Sequence, residues 1–265
     1  MKHNDIDLKQ WRETDINVDS LWLINERDKS GKHSNMYHGN FIPQIPYQLI
    51  KRYTKKHETV LDVFLGSGTT LFECENLERN FIGFDISEDM LNFVEDKMAA
   101  SNNIKYHIAN CDVTNKSQFD KTIKIGLDKI GEKEKVQFVI MHPPYLDIVK
   151  FSDKKEDLST ISDLKLFMKK FISVVKNALN YLEDDRYFSI VIGDVYKNSE
   201  VIPLSFHIMD AIKSNFDVKL KGIVVKNIEG NRAKQGKGAI WKYRALNSDY
   251  FIFKHEYILV FKKIK

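Results

Sequence analysis

The sequence predicts an α/β fold, an open and mostly parallel sheet of about seven strands with helices on both faces. Three observations predict it. Short apolar runs typical of buried strands alternate with segments whose apolar residues recur at helical spacing. Polar or glycine-rich turns follow several of these runs. The last two strand-like runs have no helix-sized pattern between them, so we expect them to pair antiparallel. The 265 residues, 43% of them hydrophobic, suffice for a single domain spanning residues 1–265.

The first half of the chain begins with an arm, residues 1–43, that has no regular apolar period. From there the pattern alternates. Strands are predicted at 60–64, 81–85 and 104–109, and helices at 45–53, 69–78 and 88–99. No element is assigned between Asp112 and the next strand.

The second half repeats the alternation. A buried-type run gives a strand at 136–141, and an apolar stripe from Leu164 to Leu182 gives a long helix. Pro203 suits the first turn of another helix. The remaining strands are predicted at 187–192, 218–225 and 257–261.

Composition narrows the class of protein. The formal net charge is only +4, so the distribution of charge matters more than its sum. Cys74 and Cys111 form no close metal-type pair and are predicted to be small buried residues, and no metal site is expected. The sequence shows neither a signal peptide nor an apolar run long enough for a membrane helix, which favours a cytoplasmic protein that does not bind membranes.

A glycine-rich turn joins the first strand to the next helix, in the stretch from Asp62 to Thr70. Gly66 and Gly68 allow a tight turn and a close approach to a ligand, and the helix N-terminus presents free N–H groups. Asp85 and Asp112 follow the next two strands, where they could bind ribose hydroxyls and an adenine amino group. An ordinary glycine turn or a dinucleotide site remain alternatives, although the spacing is not G-x-G-x-x-G. The cluster favours a nucleoside-type cofactor.

The fourth strand is followed by a second distinctive turn, His142, Pro143, Pro144 and Tyr145. Two prolines remove backbone donors, which leaves carbonyl oxygens as acceptors. The polar side chain and a carbonyl could take the two hydrogens of an amino group, and the tyrosine ring could stack on a flat base. The alternative is a rigid turn with a packed tyrosine. Its place beside the cofactor turn favours a catalytic role.

A basic stretch, residues 219–244, carries eight Lys and Arg residues against one acidic residue, Glu229. A solvated hairpin loop is the ordinary interpretation of such a run. Interleaved glycines and aromatic rings instead favour contacts to nucleic-acid phosphates, with 227–254 as a candidate DNA-recognition loop. The candidate DNA-binding residues are Arg232, Lys234, Lys237, Trp241, Lys242 and Arg244.

These motifs together resemble the amino-group DNA methyltransferases, which modify adenine N6 or cytosine N4. The resemblance covers roughly residues 33–263 and implies a Rossmann-like methyltransferase fold with S-adenosyl-L-methionine as cofactor. His142 to Tyr145 occupies the catalytic motif of the family, which usually begins with Asp, Asn or Ser. A neutral imidazole can still accept a hydrogen bond, but His142 leaves adenine and cytosine undistinguished. The implied cofactor-binding residues are His38, Asn40, Phe41, Asp62, Phe64, Gly66, Gly68, Thr69, Thr70, Asp85, Ile86 and Asp112.

The resemblance implies direct methyl transfer to a flipped base in double-stranded DNA, in restriction-modification or a related defence. No large recognition domain is evident, so recognition is expected to be short or supplied by a specificity partner or cognate nuclease. The chain itself is expected to be a monomer or dimer. Three alternatives stay open: an RNA or tRNA base methyltransferase, a non-catalytic DNA-binding subunit, and methylation of a protein amide.

Overall fold

The computed structural model describes residues 3–33, 39–132, 134–228 and 238–264. Eight strands form one sheet: β1 (Leu21–Trp22), β2 (Thr59–Asp62), β3 (Asn80–Asp85), β4 (Tyr106–Asn110), β5 (Val136–Met141), β6 (Leu182–Ile192), β9 (Val218–Asn227) and β10 (His255–Lys263). Their order across the sheet is β1-β9-β10-β6-β5-β2-β3-β4. A separate small hairpin consists of β7 (Val195–Lys197) and β8 (Glu200–Ile202).

The direction of the strands follows the prediction. β10 is antiparallel to both of its neighbours, β9 and β6, while the other pairings in the sheet are parallel. The expected antiparallel final pair is therefore confirmed. The strand beyond the seven predicted is β1, a two-residue strand that pairs with the edge of β9 and buries Trp22. This short strand covers an edge that would otherwise expose unpaired backbone groups.

Helices cover both faces of the sheet, as their apolar stripes require. The described helices are α1 (Gln44–Tyr53), α2 (Thr69–Asn76), α3 (Glu88–Met98), α4 (Lys116–Ile130), α5 (Leu164–Asn180), α6 (Leu204–Asn215) and α7 (Gly238–Asn247). The buried apolar residues of α1, α2 and α3 join one hydrophobic cluster, and those of α4, α5 and α6 join a second. The sheet is the middle layer, so its central strands are buried on both sides, and all six residues of β5 are buried.

Three details of the sequence prediction were wrong. Helix α4 occupies part of the segment to which no element was assigned. Helix α7 lies between the last two strands, where no helix was expected, because the residues there do not form an apolar stripe. Strand β6 begins at Leu182 rather than 187, since the chain passes from α5 into the strand almost without a loop. The remaining predicted elements are present, with shifted ends.

Cys74 and Cys111 are free and buried, as expected from the sequence. Within the described ranges, none of the helices is long and apolar enough to cross a membrane.

Candidate active site

The two turns singled out in the sequence lie side by side at the carboxyl edge of the sheet. Strands β2 and β5 are paired in parallel, with Asp62 opposite Ile140, so the turns that follow them are neighbours. Strands β3 and β4 continue the edge, with Asp85 opposite Asn110. Open parallel sheets bind ligands at this edge.

The glycine turn is closed by the side chain of Asp62. Its two carboxylate oxygens accept hydrogen bonds from Phe64 N–H at 2.9 Å and from the Thr70 hydroxyl at 2.6 Å. Burial raises the pKa of this carboxyl to about 6. Asp62 therefore ties the end of β2 to the first turn of α2 and shapes the loop between them.

Gly68 is required by packing as well as by backbone conformation. Its φ of +81° is one that side chains rarely adopt, and an added Cβ would lie 2.9 Å from Val94 Cγ2 on α3. Gly68 lies against a helix, so a valine at this position would first disturb the fold. A variant of Gly68 is consequently a poor probe of cofactor binding, in contrast to what the glycine pattern alone suggests.

Asp85 connects the ends of β2 and β3. One carboxylate oxygen accepts from Gly66 N–H at 2.7 Å and the other from Ser87 N–H at 2.9 Å. Burial raises the pKa of Asp85, and the two backbone donors act against that shift. Each oxygen retains a further lone pair, which fits a pair of ribose hydroxyls.

Asp112 lies at the end of β4 with one oxygen committed and one available. Its Oδ1 accepts from the backbone N–H and the hydroxyl of Thr114, at 2.9 and 2.7 Å. Oδ2 has no hydrogen-bond partner among the residues that the structure describes. A free carboxylate oxygen beyond β4 fits the amino group of an adenine ring.

Three further residues of the predicted cofactor site border this edge. The Ile86 carbonyl accepts from Asn110 Nδ2 at 2.9 Å and from Lys154 Nζ at 2.7 Å. Phe64 is partly buried and stacks on Phe171 of α5, with ring centroids 6.4 Å apart. Thr69 begins α2, whose first N–H groups point out of the helix end.

The short segment that leads into α1 crosses from the glycine turn to the proline turn. Asn40 donates to the Ser67 hydroxyl at 3.1 Å, and the Phe41 ring lies 4.9 Å from the imidazole of His142. His38, predicted to contribute to the same segment, lies outside the described residues. Phe41 thus contacts the proline turn while its neighbour Asn40 contacts the glycine turn.

The proline turn places His142 and Tyr145 in contact. His142 Nε2 lies 3.2 Å from the Tyr145 hydroxyl, and the two rings meet edge to face. Neither the Pro143 nor the Pro144 carbonyl receives a hydrogen bond from a described residue, so both remain available as acceptors. Burial lowers the pKa of His142 to about 4, which keeps the imidazole neutral near pH 7.

The hydrogen-bond partners of Tyr145 were not predicted from the sequence. Its hydroxyl donates to Glu256 Oε2 at 3.2 Å, and Glu256 Oε1 accepts from Lys226 Nζ at 3.1 Å. Lys226 was counted among the basic residues available for phosphate, which was wrong, because it is 4% exposed and ion-paired. The sequence contains only a weak signal for this pair. Lys226 lies near the end of β9, and Glu256 lies near the start of β10.

The segment just after helix α7 contacts the hairpin β7–β8. Tyr250, just beyond α7, stacks on Tyr196 of β7, and the next residue of β7, Lys197, pairs with Asp147 at 2.7 Å. Asp147 follows the proline turn by two residues. The hairpin β7–β8 therefore links the residues just after the proline turn to the segment that carries α7.

The candidate DNA-binding residues divide into two groups. Trp241, Lys242 and Arg244 are on α7, where the Arg244 guanidinium lies 5.4 Å from the centre of the Trp241 ring and Lys242 is exposed. Arg232, Lys234 and Lys237 lie outside the described residues. Within the part of the chain that the structure describes, no group of three His, Cys, Asp or Glu side chains is arranged to hold a metal ion.

A comparison with known families finds a match over the first part of the chain. The DNA methylase family of N6 and N4 methyltransferases matches residues 1–96, which contain the N-terminal arm, the glycine turn and Asp85. Over these residues the chain is similar to that family. The match stops before the proline turn, so the catalytic role of His142 to Tyr145 stays a prediction.

Curated relatives carry the same type of name. The type II methyltransferase M.MjaII of Methanocaldococcus jannaschii is 28% identical over 181 residues, which cover 65% of this chain and 33% of the relative. The type II methyltransferase M.BglI of Bacillus subtilis is 40% identical over 65 residues, 24% of this chain and 18% of the relative. The chain thus spans about a third or less of the length of these two type II methyltransferases.

Solved structures share the fold of this chain. TrmN from Thermus thermophilus superposes with a TM-score of 0.52 at 15% identity, over 86% of this chain and 50% of that chain. A putative methyltransferase from Streptococcus mutans, SMU.1697c, solved with SAH, gives 0.50 at 13% identity, over 83% and 97% of the two chains. The fold is the Rossmann-like methyltransferase fold. The strand-end carboxylates described above fit the ribose and adenine of S-adenosyl-L-methionine, the cofactor expected from the sequence.

Proposed function

We propose that this protein transfers a methyl group from S-adenosyl-L-methionine to an exocyclic amino group, adenine N6 or cytosine N4, of a base flipped out of double-stranded DNA. The observation that carries the proposal is the pairing of β2 with β5, which sets an acceptor-rich proline turn beside the cofactor turn. The family match and the names of the type II relatives support DNA as the substrate and restriction-modification as the setting.

In this proposal the cofactor lies across the ends of β2, β3 and β4. The turn around Gly66 and the first N–H groups of α2, at Thr69 and Thr70, face its methionine end, where a helix N-terminus favours a carboxylate. Asp85, with Ile86 beside it, receives the ribose hydroxyls, and Asp112 receives the adenine amino group. Bound there, the cofactor supplies an electrophilic methyl group on a sulfonium.

Further residues border the proposed cofactor site or hold its turn in place. Asn40 and Phe41 cover the methionine end, and Phe64 borders it from the core side. His38, which lies outside the described residues, is predicted from the sequence to act with them. Asp62 acts indirectly because both of its oxygens already hold the turn. Gly68 supports the turn by letting α3 approach.

At the proline turn, the residues hold the target amino group and its protons. The imidazole of His142 accepts one amino hydrogen, and a carbonyl of the Pro143–Pro144 segment accepts the other. These contacts draw the nitrogen lone pair out of conjugation and toward the methyl group, so they strengthen as the transition state forms. The Tyr145 ring supports the base face by stacking.

DNA would approach over α7 and the residues before it. Lys242 and Arg244, with Arg232, Lys234 and Lys237, would contact phosphates, and Trp241 supplies an aromatic surface next to Arg244. Segment 227–254 is the proposed recognition loop, and a partner that supplies further specificity or a cognate nuclease is compatible with its short length.

The test is methylation of DNA by the purified chain and by variants of His142. We expect His142→Ala to lower turnover by about 10²-fold or more, with DNA affinity changed much less, since a preorganised polar contact acts chiefly in the transition state. His142→Asp should keep measurable activity because it restores an acceptor. His207→Ala, an exposed histidine on α6, is the matched control.

A second readout identifies the substrate. Sequencing that detects modified bases in DNA from cells expressing the chain should find methylated adenine or cytosine at one short sequence. Tyr145→Ala should lower turnover strongly with cofactor affinity nearly intact, since stacking on a base is worth about 1–3 kcal/mol. Near-normal methylation by both His142→Ala and Tyr145→Ala would show that the proline turn is structural. Methylation of RNA but not DNA would overturn the substrate assignment.

A further inference from the structure

Four side chains form a continuous hydrogen-bonded line that ends at the candidate catalytic histidine. Lys226 Nζ lies 3.1 Å from Glu256 Oε1, the Tyr145 hydroxyl lies 3.2 Å from Glu256 Oε2, and His142 Nε2 lies 3.2 Å from that hydroxyl. Lys226 and Glu256 are directly opposite each other on the antiparallel strands β9 and β10. Both are almost completely buried, at 4% and 7% exposure.

The backbone around the line keeps it in place. A Cβ on Gly193, just after β6, would lie 2.8 Å from Tyr145 Cε2, so the absence of a side chain there makes room for the tyrosine ring. On the other side, the Phe41 ring lies against His142. The two rings of the line are therefore held by packing as well as by hydrogen bonds.

The direction of each hydrogen bond follows from counting protons. A lysine ammonium can only donate and an ionised carboxylate can only accept, so Glu256 has no proton to give. The Tyr145 hydroxyl has one proton, which it donates to Glu256. Burial and the Glu256 carboxylate also raise the pKa of Tyr145 well above its ordinary value, so that proton is retained. The hydroxyl oxygen is then left to accept a hydrogen bond from His142.

A neutral imidazole has a single N–H, and the second nitrogen carries a lone pair. If Nε2 carries the proton that Tyr145 accepts, Nδ1 is the bare nitrogen. Among the described residues Nδ1 of His142 has no hydrogen-bond partner, and it is not one of the polar atoms buried without one. This nitrogen is therefore not fully buried and is open to a further hydrogen bond.

We propose that Lys226, Glu256 and Tyr145 form a positioning relay that fixes His142 as the Nε2–H tautomer and so presents Nδ1 as a hydrogen-bond acceptor. The relay rests on the proposed function in one respect, that the group received by Nδ1 is the target amino group. The opposite tautomer would point an N–H at the amino hydrogens and repel them. The relay explains how a histidine at this position can accept a hydrogen bond, as the oxygen of an Asp or Asn side chain does.

The tautomer can be measured without any methylation. The full chain, labelled with ¹⁵N at histidine, gives long-range ¹H–¹⁵N correlations that distinguish a protonated from a bare ring nitrogen. The chain has eight histidines, so the signals of His142 are assigned by their loss in His142→Asn. We expect His142 in the folded protein to be almost entirely Nε2–H at neutral pH.

Two variants remove the relay in different ways. Tyr145→Phe deletes the hydroxyl and keeps the ring, so His142 should shift to a mixture of tautomers. The double variant Lys226→Met with Glu256→Leu removes both charges together, which avoids leaving one buried charge unpaired. It should produce the same mixture. Tyr257→Phe is the matched control because it also removes a tyrosine hydroxyl that contacts a histidine. The Tyr257 hydroxyl lies 3.0 Å from Nε2 of His255. This control should leave the signals of His142 unchanged.

Kinetics supply the second readout. Tyr145→Phe should lower kcat by about tenfold, with KM for DNA nearly unchanged, since one positioning hydrogen bond is removed and the ring remains. An Nδ1–H tautomer in the wild-type chain would overturn the relay, and so would an unaltered His142 tautomer in Tyr145→Phe. If His142 shows the expected tautomer and the chain methylates no DNA, the proposed function is wrong and the relay geometry stands.

Discussion

Individual side chains at the strand edge are already hydrogen-bonded within the protein, and this changes which of them can serve a ligand. Asp62 uses both oxygens to close the glycine turn, whereas Asp85 and Asp112 keep acceptor capacity beyond their hydrogen bonds within the protein. An aspartate can thus use all of its carboxylate oxygens to hold the fold in one place and keep free acceptor capacity in another. Sequence position alone does not separate these roles.

Asp85 is therefore the sharpest probe of the cofactor site. Asp85→Asn keeps the size of the side chain but replaces one acceptor oxygen with a donor, which faces a backbone N–H and a ribose hydroxyl. We expect the dissociation constant for S-adenosyl-L-methionine to rise by about tenfold or more, the effect of removing a hydrogen bond to a charged group. Calorimetry measures it, and Asp89→Asn, an exposed acid on α3, is the control. Equal affinities in the two variants would contradict the ribose assignment.

The pH dependence of turnover reports on His142. Its neutral form is the acceptor, and burial, with a further contribution from the Lys226 cation, lowers its pKa to about 4, while Glu256 acts in the opposite direction. The acceptor is present above the folded-state pKa and is lost only as the pH falls through it. Single-turnover rates should consequently show no loss centred on 6.5, the ordinary histidine value, between about pH 8 and pH 5.

A matched variant moves this profile in a known direction. Lys226→Met removes the cation that lowers the pKa of His142 and leaves Glu256 unopposed, so the acid limb of the profile should shift to higher pH. An acid limb near 6.5 in the wild-type chain would show that His142 is not held neutral.

The candidate site was predicted from motifs whose residues are close together in the sequence. Lys226 and Glu256, which were not predicted to belong to it, lie far from the proline turn in the sequence. His142 and Tyr145 are three residues apart and follow a strand pattern, whereas Glu256 is 111 residues from Tyr145 in the sequence. Lys226 looked like one more surface cation in a basic stretch. Only the pairing of β9 with β10 and of β10 with β6 brings both residues to the proline turn.

At the scale of elements, the errors have separate causes. Helix α4 had a readable signal, since Phe119, Ile123, Leu127 and Ile130 share a buried face, Asn115 caps its start and Gly131 its end. Helix α7 had none, because its exposed residues include Ile240, Tyr243 and Leu246. Amphipathic elements that pack on the sheet are thus predictable from the sequence, and a short helix without a buried stripe is not.

The buried carboxyl of Asp62, which joins β2 to α2, should make the stability of the protein depend on pH. Asp62 is buried with a pKa raised to about 6 from an ordinary 3.8. Its carboxyl is protonated in the folded state over a range where the unfolded chain has already released the proton. Stability should therefore fall as the pH rises from about 4 through 6.

Asp62→Asn removes this titration and can keep both hydrogen bonds, accepting from Phe64 and donating to the Thr70 hydroxyl. Thermal unfolding without cofactor should show that the variant gains stability relative to the wild type between pH 4 and pH 8. Asp62→Ala, which retains neither hydrogen bond, should be less stable than Asp62→Asn at every pH. A wild-type chain that gains stability relative to Asp62→Asn as the pH rises would contradict the buried, protonated carboxyl.

On the scale of the whole molecule, the strand order gathers residues from distant parts of the sequence at one edge. Strands β2, β3 and β4, which lead into the turns with Asp62, Asp85 and Asp112, form one end of the sheet. Strands β5 and β6 separate them from the β9–β10 pair. The proline turn lies at the boundary between the two halves. A base held there would face the cofactor on one side and the segment with α7 on the other.

DNA binding over that segment should depend strongly on salt. Removing one cation that binds a phosphate reduces the slope of log K against log salt by about 0.9. Lys242→Ala with Arg244→Ala on α7 should therefore flatten the slope by up to about 1.8, and Lys234→Ala with Lys237→Ala should do the same for the adjoining residues. The control is Lys124→Ala with Lys129→Ala, exposed on α4, whose end leads back to the amino edge of β5. Because all three double variants remove the same charge, a general electrostatic effect would flatten all three slopes alike. An effect confined to the first two would locate the phosphates along residues 234–244, and unaltered slopes in both would move the DNA site elsewhere.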